Sequence, residues 1–96
     1  MTVRYTPSAW ATYQDALSTI HAHNRLAAYR FAESVERAVA RLQRFPQLGH
    51  YIPEFPDSPH RQFIVGPYRF FYRLDEETIW IVSVWHGAQI PAEPVR

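Results

Sequence analysis

The sequence predicts an α+β fold in which a helical hairpin packs across one face of a small antiparallel sheet, in the order β-α-α-β-β-β. Three observations carry this. Apolar residues recur at helical spacing through the first half of the chain. β-prone runs punctuated by turn signals fill the last third. No repeat, low-complexity tract or flexible linker divides the 96 residues, so residues 1–96 are read as one domain with one core.

Val3 to Tyr5 is a short β-prone start. Thr6 then reads as a helix N-cap with Pro7 at the first helical position, where a missing N–H costs nothing. Trp10, Tyr13, Leu17 and Ile20 follow at spacings of three and four, the stripe of an amphipathic helix that fades over 21–24. Asn24 is a plausible cap for a second helix, whose Ala28, Phe31, Val35, Ala38, Leu42 and Phe45 keep the same spacing. Arg30, Glu33, Arg37 and Arg41 mark its outer face, with Glu33 and Arg37 at i,i+4, and Pro46 stops it. The short link makes the pair an antiparallel hairpin. Between Pro46 and Pro59, Gly49 lies among four prolines in a rigid irregular connection. Strands are expected over Arg61 to Val65, Tyr68 to Leu74 and Ile79 to Trp85, separated by turns at Gly66-Pro67 and Asp75-Glu76-Glu77. Residues 88–96 read as an irregular tail.

Composition narrows the chemistry. With no cysteine, neither a disulfide framework nor a Cys-ligated zinc site is possible. The absence of a long apolar run or a signal-peptide core points to a cytoplasmic protein without membrane contact. All ten basic residues are Arg, so every cationic contact comes from a planar, permanently charged fork. His21 and His23 are two apart at a helix end, wrong for two ligands on one face, and no metal or cofactor is expected. There is no P-loop, and no serine sits in a nucleophile elbow.

If the two turns are two-residue hairpin loops, the strand register is fixed. Phe63, Val65, Tyr68, Phe70, Tyr72, Leu74, Ile79 and Ile81 then share one face, a floor for the helices. His60, Gln62, Arg69, Phe71, Arg73, Trp80 and His86 fall on the other, basic and aromatic, with no remaining segment long enough to cover them. Such a face is suited to phosphate contact, base stacking or a protein lid. The last run, Ile79 to Trp85, is apolar on both sides, as in a central strand covered twice. Trp80 and Trp85 are therefore candidate hot spots for a partner. Glu54, Arg61, Arg69 and His86 also offer a carboxylate base, a guanidinium clamp and an imidazole acid for metal-free RNA cleavage. On the plainer reading Glu54 is a loop charge, the two arginines pair with Asp75 or Glu77, and His86 is a strand-end residue.

These residues resemble the RelE/ParE superfamily of toxins from bacterial type II toxin–antitoxin modules. The likeness runs from Thr6-Pro7 through Leu42-x-x-x-Pro46-x-x-Gly49, Pro53-Glu54 and Arg61-x-x-x-Val65. It continues through Pro67-Tyr68-Arg69-Phe70-Phe71-Tyr72 to Ile81-x-x-Val84-Trp85-His86-Gly87. The resemblance implies a cognate antitoxin whose C-terminal segment wraps the toxin. It also implies one of two activities: mRNA cleavage on the ribosome in RelE-like members, or poisoning of DNA gyrase in ParE-like ones. The chain has no lysine, no tyrosine after Tyr72, and Gly87-Ala88 where RelE-like enzymes place catalytic side chains, which places it nearer the ParE-like branch. A non-enzymatic gyrase inhibitor is therefore the first expectation. A RelE-like endoribonuclease using Glu54, Arg61, Arg69 and His86, or an inactive antitoxin-binding relative, is the alternative.

Overall fold

Thr6 and Pro7 open the first helix as their chemistry dictates. In the computed structural model, which describes residues 1–94, the Thr6 hydroxyl accepts the Ala9 N–H at 3.2 Å with Pro7 in the first turn. The elements are β1 (Thr2–Tyr5), α1 (Pro7–His23), α2 (Arg25–Arg44), β2 (His50–Tyr51), β3 (Arg61–Val65), β4 (Tyr68–Asp75) and β5 (Thr78–His86). Asn24 serves both helices. Its backbone N–H donates to the Ile20 carbonyl at 2.8 Å, and its side-chain oxygen accepts the Ala27 N–H at 3.0 Å. One extended residue thus ends α1 and caps α2, which makes the hairpin tight. No helix among the described residues is long and apolar enough to cross a membrane.

The apolar stripe of α2 is buried from Ala28 to Leu42, but Phe45 is 58% exposed. The chain leaves helical geometry at that residue, so its side chain swings out of the stripe and lies under the Arg44 guanidinium. Glu33 and Arg37 do not pair either; Arg37 donates to the Ser34 hydroxyl at 3.2 Å.

The sheet has five strands in the order β1-β5-β4-β3-β2, with β1 parallel to β5 and every other neighbour antiparallel. The short β2 has no periodic signal and is an addition to the expected order. Val65 pairs with Tyr68 and Asp75 with Thr78, so both turns are two-residue loops. Gly66 and Glu76 take the positive φ those loops need. Residues 88–94 carry no helix or strand, and the expected tail's last two positions lie outside the described residues.

On the helix side, Phe70, Tyr72, Ile79 and Ile81 are fully buried among Tyr13, Phe31, Val35 and Leu42. The face assignment of these strand residues holds, but β5 does not alternate throughout. Phe71 pairs with Ser83 while Tyr72 pairs with Ile81, leaving Val82 as an extra residue in a β-bulge. Every later residue changes face. Val84 joins the core, and His86 lies on the helix side opposite Tyr68, whose ring it meets edge-on at 5.2 Å. His86 is thus removed from the face to which strict alternation assigns it, while Trp85, which strict alternation would put beneath the helices, is moved onto the far face opposite Arg69.

Candidate functional site

Arg69 organises the sheet face away from the helices. It stands on β4 between Ile64 of β3 and Trp85 of β5. Its Nε donates to the Gln62 side-chain oxygen at 2.8 Å, and its two terminal nitrogens grip both oxygens of Glu54 at 2.8 and 2.7 Å. The guanidinium also lies 5.2 Å from the centre of the Phe71 ring. Hydrogen bonds from Arg69 pull the Glu54 carboxyl down to about 2 from its ordinary 4.5. The same bonds raise the Arg69 pKa.

Glu54 belongs to the loop 52–60, which turns back on itself through Phe55 N–H to Ile52 and Ser58 N–H to Phe55. The Ser58 hydroxyl accepts the His60 N–H and lies 3.0 Å from the His60 ring Nδ1. Anchored at both ends on the sheet edge by β2 and β3, the loop is brought over the face by the Glu54–Arg69 clamp. Phe71 is fully buried there, and His60, Gln62, Ile52 and Ser58 are buried as well. At the β5 end the tail contributes: Pro91 is buried, and Ala92, Glu93 and Pro94 line a cleft with Trp85. The expectation that no segment is long enough to cover this face is therefore corrected, because the loop 52–60 and the tail cover part of it. The indole N–H of Trp85 finds no acceptor among the described residues.

What stays accessible is a row at the other end. Trp80 pairs in register with Arg4 of β1 and Arg73 of β4, and Arg73 reaches Asp75 at 3.3 Å. A second accessible surface follows the outer sheet edge, where Leu48, Tyr51 and Ile64 are exposed beside α2. Leu48 and Ile64 line a cavity of about 220 Å³ with Ala38, Leu42 and Phe63.

Of the four residues considered for RNA cleavage, the structure brings together Glu54 and Arg69. Arg61 points to the helix side of β3. It donates to the Gly49 and Gln47 carbonyls at 2.9 and 3.4 Å and covers the Tyr51 ring at 4.3 Å. The His86 ring accepts the Ala88 N–H at 3.1 Å through Nδ1, on the same helix side. Neither arginine pairs with Asp75 or Glu77. Among the described residues no group of three or more His, Asp or Glu side chains is placed to hold a metal ion.

Sequence reasoning missed the buckle beneath the β2 edge. The Tyr72 hydroxyl accepts the Gly49 N–H and donates to the Pro46 carbonyl, both at 2.9 Å. A Cβ at residue 49 would stand 2.5 Å from the Gln62 carbonyl oxygen and 2.6 Å from the Tyr72 hydroxyl, so only glycine fits. The signal was present as Pro46-x-x-Gly49, but nothing in it names Tyr72 as the partner.

Comparison with known proteins adds two findings. The family model described as "ParE toxin of type II toxin-antitoxin system, parDE" matches residues 3–91. Among solved structures, one titled "Chromosomal ParDE TA system from P. aeruginosa" superposes with a TM-score of 0.72, covering 90% of this chain and 95% of that one. The two are 15% identical, so this likeness is one of fold. No curated protein matches.

Proposed function

This chain belongs to the ParE toxin family of type II toxin–antitoxin systems, and from that premise we propose that it inhibits DNA gyrase by protein–protein contact and is neutralised by a cognate antitoxin. The observation that supports inhibition by contact over RNA cleavage is the dispersal of the candidate nuclease set. Glu54 is held by Arg69 as a weakened base, while Arg61 and His86 serve the opposite side of the sheet. Without a free base and acid on one face, proton transfer to and from a 2′-hydroxyl has no carrier.

The antitoxin is best accommodated on accessible apolar surface. That surface is the edge strip of Leu48, Tyr51 and Ile64, and the Trp80 row. His60, Gln62 and Phe71 reach a partner only if the loop 52–60 lifts, since all three are buried. Partner contact through Trp80 and Trp85 predicts that Trp80→Ala and Trp85→Ala weaken the antitoxin complex.

A supercoiling assay tests the target. Purified protein is expected to inhibit gyrase, and stoichiometric antitoxin to restore it. Unaffected gyrase at excess protein, together with mRNA cleavage on ribosomes, would overturn the proposal in favour of the nuclease. Normal growth on induction without antitoxin would instead mark an inactive relative. The one contact favouring the nuclease is the Glu54–Arg69 pair. Under that reading Arg69→Ala and His86→Ala abolish toxicity, whereas arrest of growth by both variants rules it out.

A further inference from the structure

The helical hairpin and β1 together line a second site. A cavity of about 390 Å³ opens between α1 and α2, with Tyr5 of β1, Trp10 and Tyr13 of α1 and Glu36 of α2 in its wall. The three rings form one cluster. Tyr5 and Tyr13 lie nearly parallel with centroids 5.8 Å apart, and Trp10 stands across them at 5.1 and 5.8 Å.

Four features of this wall point to a positively charged occupant. None of its lining residues is basic. The Glu36 carboxylate makes no ion pair among the described residues. The Tyr5 and Tyr13 hydroxyls make no hydrogen bond to protein among the described residues and are reached by solvent. Trp10, a large ring on the first helix stripe, is left 48% exposed. Aromatic faces attract cations, and an unpaired carboxylate beside them adds a charge-assisted acceptor. Burial and then the Glu36 charge hold the Tyr13 hydroxyl above its ordinary pKa.

The cavity does not end at the rings. Leu17 and Ala32 also line an adjoining apolar cleft with Ala28 and Tyr29, and Tyr29 is exposed. Together the two make a groove along the hairpin, longer than one small cation requires. We propose that this groove receives a polypeptide partner that anchors an arginine among Tyr5, Trp10, Tyr13 and Glu36 and lays an apolar residue in the cleft beyond. Arginine fits better than lysine because a planar guanidinium can stack on a ring while donating in a fork to a carboxylate. The inference goes beyond the choice of gyrase or ribosome, since the occupant is defined by its chemistry.

NMR titration of the intact protein, following the Trp10 indole and the amides of Leu17 and Glu36, tests it. The probes are N-acetylarginine amide and its neutral isostere, N-acetylcitrulline amide. Arginine is expected to saturate the Trp10 shift with at least about tenfold higher affinity than citrulline. Glu36→Gln, an exposed and conservative change, is expected to erase that preference, and Tyr13→Phe to reduce it. A peptide with leucine three residues after the arginine is expected to bind more tightly than arginine alone and to move the Ala28 and Tyr29 amides. Equal response to citrulline, an unchanged preference in Glu36→Gln, or no saturable shift would each overturn the assignment. None of these results depends on gyrase activity, so the groove and the proposed function can fail separately.

Discussion

Phe70 and Phe71, on opposite faces of the sheet, are buried to the same degree by different physics. On the helix side, Phe70 lies within a network of rings, with Phe63 stacked at 4.8 Å and Tyr13 edge-on at 5.9 Å. On the far side, Phe71 is equally inaccessible, but its known cover is the Arg69 guanidinium, held by three hydrogen bonds to Glu54 and Gln62. Apolar contact is non-directional and scales with area, about 1.5–3 kcal/mol for a fully buried large side chain. A partly exposed ion pair contributes between about 0 and 1 kcal/mol. The helix side therefore carries most of the stability. The far side fixes the position of one loop.

Replacing the paired phenylalanines puts this contrast to its hardest test. Phe70→Ala is expected to cost about 3–5 kcal/mol in denaturant unfolding, because helices and sheet cannot both close on the space left. Phe71→Ala is expected to cost at least about 1 kcal/mol less, since a loop outside the regular elements can settle into the gap. Equal losses would break the comparison. A smaller effect is expected at the buckle between the two sides. Tyr72→Phe keeps the ring but leaves the buried Gly49 N–H and the Pro46 carbonyl without their partner, for about 1–3 kcal/mol. A loss below about 0.5 kcal/mol would show that the loop after α2 relaxes to find other partners.

The same contrast explains what could be read without coordinates. Both helices, their caps, the three long strands and the helix-side floor follow from spacing and turn chemistry. Thr6, Asn24 and Gly66 each act in the role their residue type favours. What spacing cannot encode is an extra residue. One bulge at Val82 moved both Val84 and His86 to the helix side and removed His86 from the candidate site. Nor does spacing describe irregular cover. The loop 52–60 has no period, and its placement rests on the reach of Glu54 to Arg69, a pairing 15 residues apart that no local rule selects. Of the candidate site, Glu54 and Arg69 were both singled out by residue type, but not as partners of each other. Trp10 and Tyr13 were read only as a helix stripe and Tyr5 only as part of a short strand, because an aromatic wall and an aromatic core have the same helical spacing and no local rule joins Tyr5 to them.

The smallest expected effect isolates the clamp itself. Glu54→Gln preserves shape and removes charge, so global stability is expected to fall by no more than about 1 kcal/mol, the range for an exposed pair. Amide exchange over 52–60 is nevertheless expected to quicken, because the loop loses its two charge-assisted bonds to Arg69. Acid provides the sharper version. The Glu54 carboxyl sits at about 2 when held by Arg69, against an ordinary 4.5, so the folded state favours its ionised form. Its contribution is complete above the ordinary value and disappears as pH falls toward the lowered one. The stability difference between wild type and Glu54→Gln, measured by denaturant unfolding at a series of pH values, should be constant above about pH 4.5 and shrink toward zero near pH 2. Effects common to both proteins cancel in the difference. A difference that persists undiminished near pH 2 would mean that shape, not charge, holds the loop, and the two faces would then be stabilised by the same physics after all.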